Sequence, residues 1–476
     1  MKYCTKSPRR RPSAPLDIIH PHAAGIDIGA RKHFVAVGDG RDTQPVRSFG
    51  CTTPELRAMA GWLRECGVTT AALESTGVYW VPAASVLEES GIEVYLVDAR
   101  QARNIPGRKS DVQDCQWLQQ LHRFGLLARA FRPAVEIQPL RALWRHRRRL
   151  VESCSEQIHL MHKSLEQMNL QLHKVLSDVT GHTGMQILRA IVAGEREPLV
   201  LVRLCHPLCK RPKEEFVHAL TGHYRPEQMF MLAQSMQAYD FYQSQLAACD
   251  AELERVLGAM PQKARRQDLA QQPDGKRRDT KPRKNQPRFD LRAELFALTG
   301  VDLTQIEGID ALTAFTVVSE QGTDMSRFPT EKHFASHLGL CPNHLITGGR
   351  IKKRSTRKVV SRAATALRVA AQSLRRSKSA LGAFHRRMLA KLGAPKAITA
   401  TAHKLAKLIY RLLKYGETYV KQGQEEFEAM HRKIRTKLLV RQAKVIGCGI
   451  VEVETGVLLS YQRSEPISCS LRLRRG

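Results

Sequence analysis

The sequence predicts a chain in three parts: an α/β N-terminal domain, a helical coiled-coil middle and a mainly α C-terminal domain. Three observations carry this. Short apolar runs alternate with stretches of helical period from residue 23 to about residue 123. From Pro139 onward, apolar residues recur at steps of three and four over long spans. Beyond Arg362 the chain turns to alanine-rich segments with Lys and Arg at helical spacing. At 476 residues it is also too long for one ordinary core, and two or three domains are expected.

In order, AAGIDI (23–28), HFVAVGDG (33–40) and PVRSFG (45–50) read as three strands, the last two joined by a Gly-Asp-Gly turn. A helix is expected from Pro54 to Cys66 with Thr53 as its N-cap. Then come a strand at 69–75, a helix from Val81 to Ser90, a buried-type strand at 92–98 and a helix starting near Ser110. This order suggests a mixed sheet flanked by helices, and it is the order of the ribonuclease H-like fold.

Four acids fall at telling places. Asp27 lies in the first strand, Glu74 ends a later one, and Asp111 and Asp114 share a face at the start of a helix. Carboxylates converging at one end of a sheet repel each other unless a hard divalent cation sits among them, and Mg²⁺ is the natural candidate. Two such ions about 4 Å apart activate an attacking oxygen and stabilise a leaving one. Taken singly, Asp111 is as readily a capping residue beside Ser110, and Asp27 a turn residue.

In the middle, Leu140, Leu143, Leu150, Cys154, Ile158, Met161, Leu165, Met168 and Leu172 form one stripe, interrupted by Arg147, on a helix expected to run to about Leu176. A second stripe after Pro226 runs Met229, Leu232, Met236, Tyr239, Leu246, Leu253 and Leu257. The period leaves open whether the two helices pair within one chain or with a second subunit. A compact helical insert is expected at 183–204, and Cys205, His206 and Cys209 have metal-like spacing without a second pair nearby. Residues 261–290, rich in Lys, Arg, Pro and Gln, read as a basic disordered linker.

In the C-terminal part, Ile306-Glu307-Gly308-Ile309 followed by Thr313-Ala314 resembles the hairpin of a helix-hairpin-helix element, whose open N–H groups can bind phosphate. Thr347 sits on a Gly-Gly turn, followed by Arg350, Lys352, Lys353, Arg354, Arg357, Lys358 and Arg362. Such a field stabilises phosphoryl charge beside a candidate nucleophile, although the same residues alone read more readily as a solvated basic loop. GCGIVEVETGVLLSY, in the tail at 421–476, is a candidate strand pair.

Composition narrows the partner. A net charge of +31 calls for a polyanion, and nucleic acid is the commonest. No apolar run reaches the length of about 18 residues that a membrane helix needs. The start, KYCTKSPRRRPSAP, is expected to be a loose basic arm over 1–20 rather than a signal peptide. Eleven scattered cysteines then suggest a reduced, cytosolic protein.

Five motifs in order, GIDIGARKHFVAV, ALESTGVYW, VDARQARNIPGRKSDVQDCQWLQQL, SHLGLCPNHLITGGRI and LGAPKAITATAHKLAKLIY, resemble the DEDD transposases of bacterial insertion sequences, in the one-ten family that includes bridge-RNA-guided recombinases. The resemblance covers residues 20 to 420. It implies a RuvC-like domain (21–130), a coiled-coil region (136–260) and a C-terminal transposase domain (291–420), acting in the bacterial cytoplasm at the nucleoid. The four family acids map onto Asp27, Glu74, Asp111 and Asp114. The resemblance also implies Mg²⁺, donor and target DNA, a guide (bridge) noncoding RNA, and a composite site shared between subunits of a tetramer. A C-terminal serine would attack DNA and form a covalent phosphoester. Here Thr347 stands in its place, with Ser355 and Ser361 as nearby alternatives. Two other readings are a metal-dependent nuclease of branched DNA, using water as nucleophile, and a non-enzymatic nucleic-acid-binding protein.

Overall fold

The computed structural model describes residues 16–75, 77–98, 110–207, 209, 211–269, 285–356, 359, 361–416, 436, 438–443, 445, 447–451 and 458–459. They fall in two compact units, Met1–Arg132 and Pro133–Gly476.

The first unit is a five-stranded mixed sheet. Its strands are β1 (Ala23–Ile28), β2 (Lys32–Ala36), β3 (Val46–Gly50), β4 (Thr70–Glu74) and β5 (Glu93–Val97), in the order β3-β2-β1-β4-β5. The β1–β2 and β2–β3 pairs are antiparallel, as hairpin connections allow; β1–β4 and β4–β5 are parallel, as helical crossovers require. Helices α1 (Thr53–Glu65) and α2 (Trp80–Glu89) bury Leu56, Met59, Leu63, Ala83 and Leu87 with Ile26, Ile28, Val35 and Leu73 of the sheet. Helix α3 (Asp111–Arg123) has Leu118 in a smaller cluster with Ala72 and Val97.

The α/β expectation and its element order therefore hold, with local corrections. The second strand ends at Ala36, Val37 N–H bonds Pro45 C=O, and the chain turns at Gly38-Asp39-Gly40 as expected. The α1 N-cap is Thr52 rather than Thr53, and its hydroxyl donates to the Glu55 carboxylate (2.8 Å) instead of accepting from the backbone.

The second unit is mostly helical. Helix α4 (Ile137–Gln167) packs along α9 (Pro226–Ala259), so the two long stripes pair with each other inside one chain. Between them lie α5 (Leu172–Val175), α6 (His182–Val192), α7 (Pro198–Val202) and α8 (Lys213–Leu220), the expected insert. One continuous helix to Leu176 is not what forms. Asn169 takes a left-handed conformation (φ 56°), Leu170 N–H closes back on Leu165 C=O, and Met168 C=O accepts from His223 N–H. Arg147, the gap in the stripe, is buried and paired with Asp250 of α9 (2.5 Å), and it also donates to Asn285 C=O (3.0 Å).

The rest comprises α10 (Leu291–Thr299), α11 (Ala311–Gln321), α12 (Glu331–His337), the β6–β7 ribbon (Pro342–Thr347, Arg350–Thr356), α13 (Arg362–Ser373), α14 (Ala380–Leu392) and α15 (Ala394–Tyr415). The middle and the C-terminal part share one unit because α4 packs on α11. Trp144 meets Phe315 edge-on at 4.6 Å and donates to Thr316 (3.1 Å), while Arg145 forks onto Glu320 at 2.8 and 2.7 Å. The flanks of the expected linker are held. Lys263 N–H reaches Ala297 C=O, Arg288 N–H reaches Asp250, and the Asp290 side chain caps α10; residues 270–284 lie outside the described residues. In the tail, Ile450–Val451 and Leu458–Leu459 form the expected antiparallel strand pair. No helix among the described residues is long and apolar enough to cross a membrane.

Candidate active site

The carboxylates are placed by the sheet and one helix. In β1, Gly25 and Asp27 share a face, since side chains alternate along a strand. A Cβ at Gly25 would lie 2.2 Å from Gln119 N and 2.3 Å from Cys115 O, so only glycine lets α3 press its backbone onto β1 there. That contact brings the first turn of α3, with Asp111 and Asp114, toward the Asp27 end of the strand. The β1–β4 register pairs Ile26 with Leu73, so Glu74 lies one step on, level with Asp27. Ser110 is the α3 N-cap, accepting from Gln113 N–H (3.4 Å), which leaves Asp111 outside the capping role.

The electrostatics report how near the four acids lie. Burial, then the charges of Asp111, Glu74 and Asp114, push the Asp27 carboxyl up to about 6, against the opposing Ile28 N–H. Beneath them, burial and then Asp27 push the buried Cys115 thiol up to about 12. The donor set is all oxygen, the chemistry a hard divalent cation prefers, and a cation would relieve the crowding at Asp27. The spacing is open: among the described residues no three His, Cys, Asp or Glu side chains converge closely enough to hold an ion. The same holds for Cys205, His206 and Cys209, where the two thiols are half-buried and His206 N–H donates to the Thr183 hydroxyl.

Thr347 ends β6 and pairs with Arg350 across the ribbon. Gly348 (φ 56°) and Gly349 (φ 72°) are both left-handed, the pair that a tight two-residue hairpin turn demands. A Cβ at either would meet nothing within 4 Å, and Thr347 itself is exposed, so the tip stands open. The two alternative hydroxyls have structural work. Ser355 donates to Asn343 C=O (3.3 Å), and Ser361 caps α13 by accepting from Ala364 N–H (3.2 Å).

The seven basic residues separate. Arg350 and Lys352 are exposed on β7. Arg357 and Lys358 lie outside the described residues, as do the side chains of Lys353 and Arg354. Arg362 opens α13, 4.0 Å from Glu320, and burial with neighbouring arginines holds it below its ordinary range. Its neighbours Arg145, Arg148 and Arg149 were missed in the sequence reading, although the run RALWRHRRRL carries the signal. At the helix-hairpin-helix candidate, Ile309 N–H bonds Ile306 C=O, Thr313 N–H bonds the Asp310 carboxylate, and a Cβ at Gly308 would lie 3.0 Å from Leu374 Cγ.

Two family models match the chain. One for DEDD transposases of the IS110 type, described as a transposase, covers residues 24–170 and thus all four acids. The other, described as the transposase IS116/IS110/IS902 family, covers residues 301–386 and includes Thr347. No curated protein matches it.

Proposed function

The chain belongs to the IS110-family DEDD transposases, and from that premise we propose that it cuts and rejoins DNA with four metal-holding acids and a threonine nucleophile. Asp27, Glu74, Asp111 and Asp114, on a RuvC-like domain, would hold Mg²⁺ once drawn closer together than the open spacing they have here. When bound, the cation supplies charge stabilisation at the oxygens of the phosphate under attack. Thr347 Oγ forms a bond to the phosphorus of a DNA phosphodiester; one deoxyribose–phosphate bond breaks, that oxygen leaves as a hydroxyl, and the threonine proton passes to solvent. Attack by a second DNA hydroxyl on the same phosphorus restores the phosphodiester and frees Thr347. Arg350, paired across from Thr347, orients the phosphate.

The observation that carries this reading is the charge crowding at Asp27, which links all four acids of the family motif. Thr347 is favoured over Ser355 and Ser361 because it is exposed at an open turn while both serines are engaged. A bridge RNA and an oligomer acting on donor and target DNA follow from the family resemblance, and the +31 charge supports a polyanionic partner. The test is a covalent protein–DNA adduct resolved on a denaturing gel, using DNA that carries the element's ends. It should form with the wild type and vanish in Thr347→Ala. An adduct that persists in Thr347→Ala but disappears in Ser355→Ala refutes the nucleophile assignment. One observation favours the nuclease reading: threonine stands where the resemblance implies serine. Free 5′-phosphate ends without trapped protein would establish it.

A further inference from the structure

We infer that a cleft between α4 and the start of α13 seats one backbone phosphate of a bound nucleic acid, a role distinct from those proposed for the acid set and the Thr347 ribbon. The inference rests on the transposase reading for the identity of the polyanion and on nothing else in it. The cleft has a volume of about 270 Å³; four arginines (Arg145, Arg148, Arg149, Arg362) line it with Ser361 and Thr365, against one carboxylate, Glu152. Helical spacing puts the three α4 arginines at one edge, and the α13 N-cap forms the other.

Charge accounting shows why an anion belongs there. Glu320, 5% exposed, is shared by three guanidinium groups: Arg141 (3.0 Å), Arg145 (2.7 Å) and, further off, Arg362 (4.0 Å). Among the described residues Arg148 is offset by Glu152 at 3.0 Å, an exposed pair one helical turn apart that solvent screens. Arg149 is exposed with no ion pair among the described residues. Five arginines thus face two carboxylates, a surplus of three positive charges. The crowding registers on Arg362, which burial and then Arg145, with Arg148 and Arg149, hold below its ordinary range.

The donors are also arranged for a phosphate. Glu320 takes the Nε and Nη2 hydrogens of Arg145, which fixes the guanidinium and leaves Nη1 without a partner among the described residues. Ser361 Oγ accepts from Ala364 N–H, so its own hydrogen remains to donate. The remaining Nη1 of Arg145, the Arg148 and Arg149 guanidinium groups, the Ser361 hydroxyl and the α13 N-terminus, around one cavity, match a phosphate's oxygens.

The experiment measures binding of fluorescein-labelled single-stranded DNA, and of RNA of the same sequence, to the full chain by anisotropy across a salt series. Arg148→Gln/Arg149→Gln should weaken binding several-fold and reduce the log K against log salt slope by about 0.7, the loss of one single-strand phosphate contact. Arg149→Lys should keep the slope while losing part of the affinity, because charge survives and the fork does not. Arg189→Gln/Arg203→Gln, two exposed arginines elsewhere in the unit, controls for net charge. A cleft double variant indistinguishable from Arg189→Gln/Arg203→Gln overturns the seat, with circular dichroism confirming that both are folded. Loss on DNA alone or on RNA alone identifies the strand that sits there. Failure of the seat leaves the Thr347 adduct intact, whereas failure of the transposase reading removes the adduct without restoring the salt slope.

Discussion

In the proposed chemistry, the acid set and the Thr347 ribbon carry the two halves on opposite kinds of support. Asp27, Glu74, Asp111 and Asp114 are held by a sheet core and by a helix pressed so close that position 25 must be glycine. Thr347 is held by one ladder and a two-glycine turn open on all sides. The rigid region can therefore maintain an unfavourable charge arrangement, with Asp27 pushed up to about 6. The ribbon maintains nothing of the kind and keeps its hydroxyl accessible. Strong preorganisation costs stability at a site, and an open tip leaves accuracy to whatever it binds.

The largest effect that would break this contrast is Asp27→Asn. Recombination should fall by at least about a thousandfold, because the proposed cation would lose a ligand. The fold should gain about 1–2 kcal/mol above pH 6, since charged Asp27 is disfavoured in the native state and the amide carries no charge. Activity retained, or stability lost, in paired recombination and urea-unfolding assays refutes the view that this corner stores repulsion for function.

Next in size is Gly25→Ala. With no room for a methyl, the first unit should lose about 3 kcal/mol, seen as faster hydrogen exchange in α3 and β1 peptides while α13–α15 peptides are unchanged.

Comparable in size is a pH effect confined to the same unit. His122, in the last turn of α3, is 1% exposed, within hydrogen-bond distance of the Thr70 hydroxyl (2.9 Å) and stacked on His20. Burial and then His20 pull its pKa down from the ordinary 6.5 to about 4. The unfolded chain therefore binds a proton first as pH falls. This contribution is complete above pH 6.5 and is lost progressively down to pH 4, amounting to about 3 kcal/mol. His122→Asn should flatten the profile between those limits, as followed by hydrogen exchange of α3; an unaltered slope would remove His122 from the account.

The smallest effect sharpens the ribbon's side. Gly349→Ala places a side chain at φ 72° and should cost about 1–2 kcal/mol, with slower adduct formation and no change in the melting of the helical core. An unaffected adduct rate would mean that the turn geometry does not position Thr347.

Much of the first unit was legible because its signals are local. Apolar runs of strand length, a Ser before a helical pattern and acids at strand ends each arise within a few residues. The departures came where a distant partner decided. Asn169 ends α4 because Met168 C=O is taken by His223, more than fifty positions on. Arg147 reads as a flaw in an apolar stripe until Asp250, on the other long helix, neutralises it. At Gly308 the neighbour was the distant part: Leu374, sixty-six positions on, closes over the turn.

By itself, the sequence determined the element order of the α/β unit, the helical character of the remainder, the four acids, the Thr347 turn and the family. Each of these follows from period, turn chemistry or a short motif, which neighbouring residues encode. Only the tertiary structure decided that the two long helices pair within one chain and that the middle joins the C-terminal segment in one unit. It alone gathered the arginines of α4 with Ser361 around a common cleft. Those outcomes depend on which buried charge meets which partner across more than a hundred residues, and the energy of such a pairing exists only once the chain has folded.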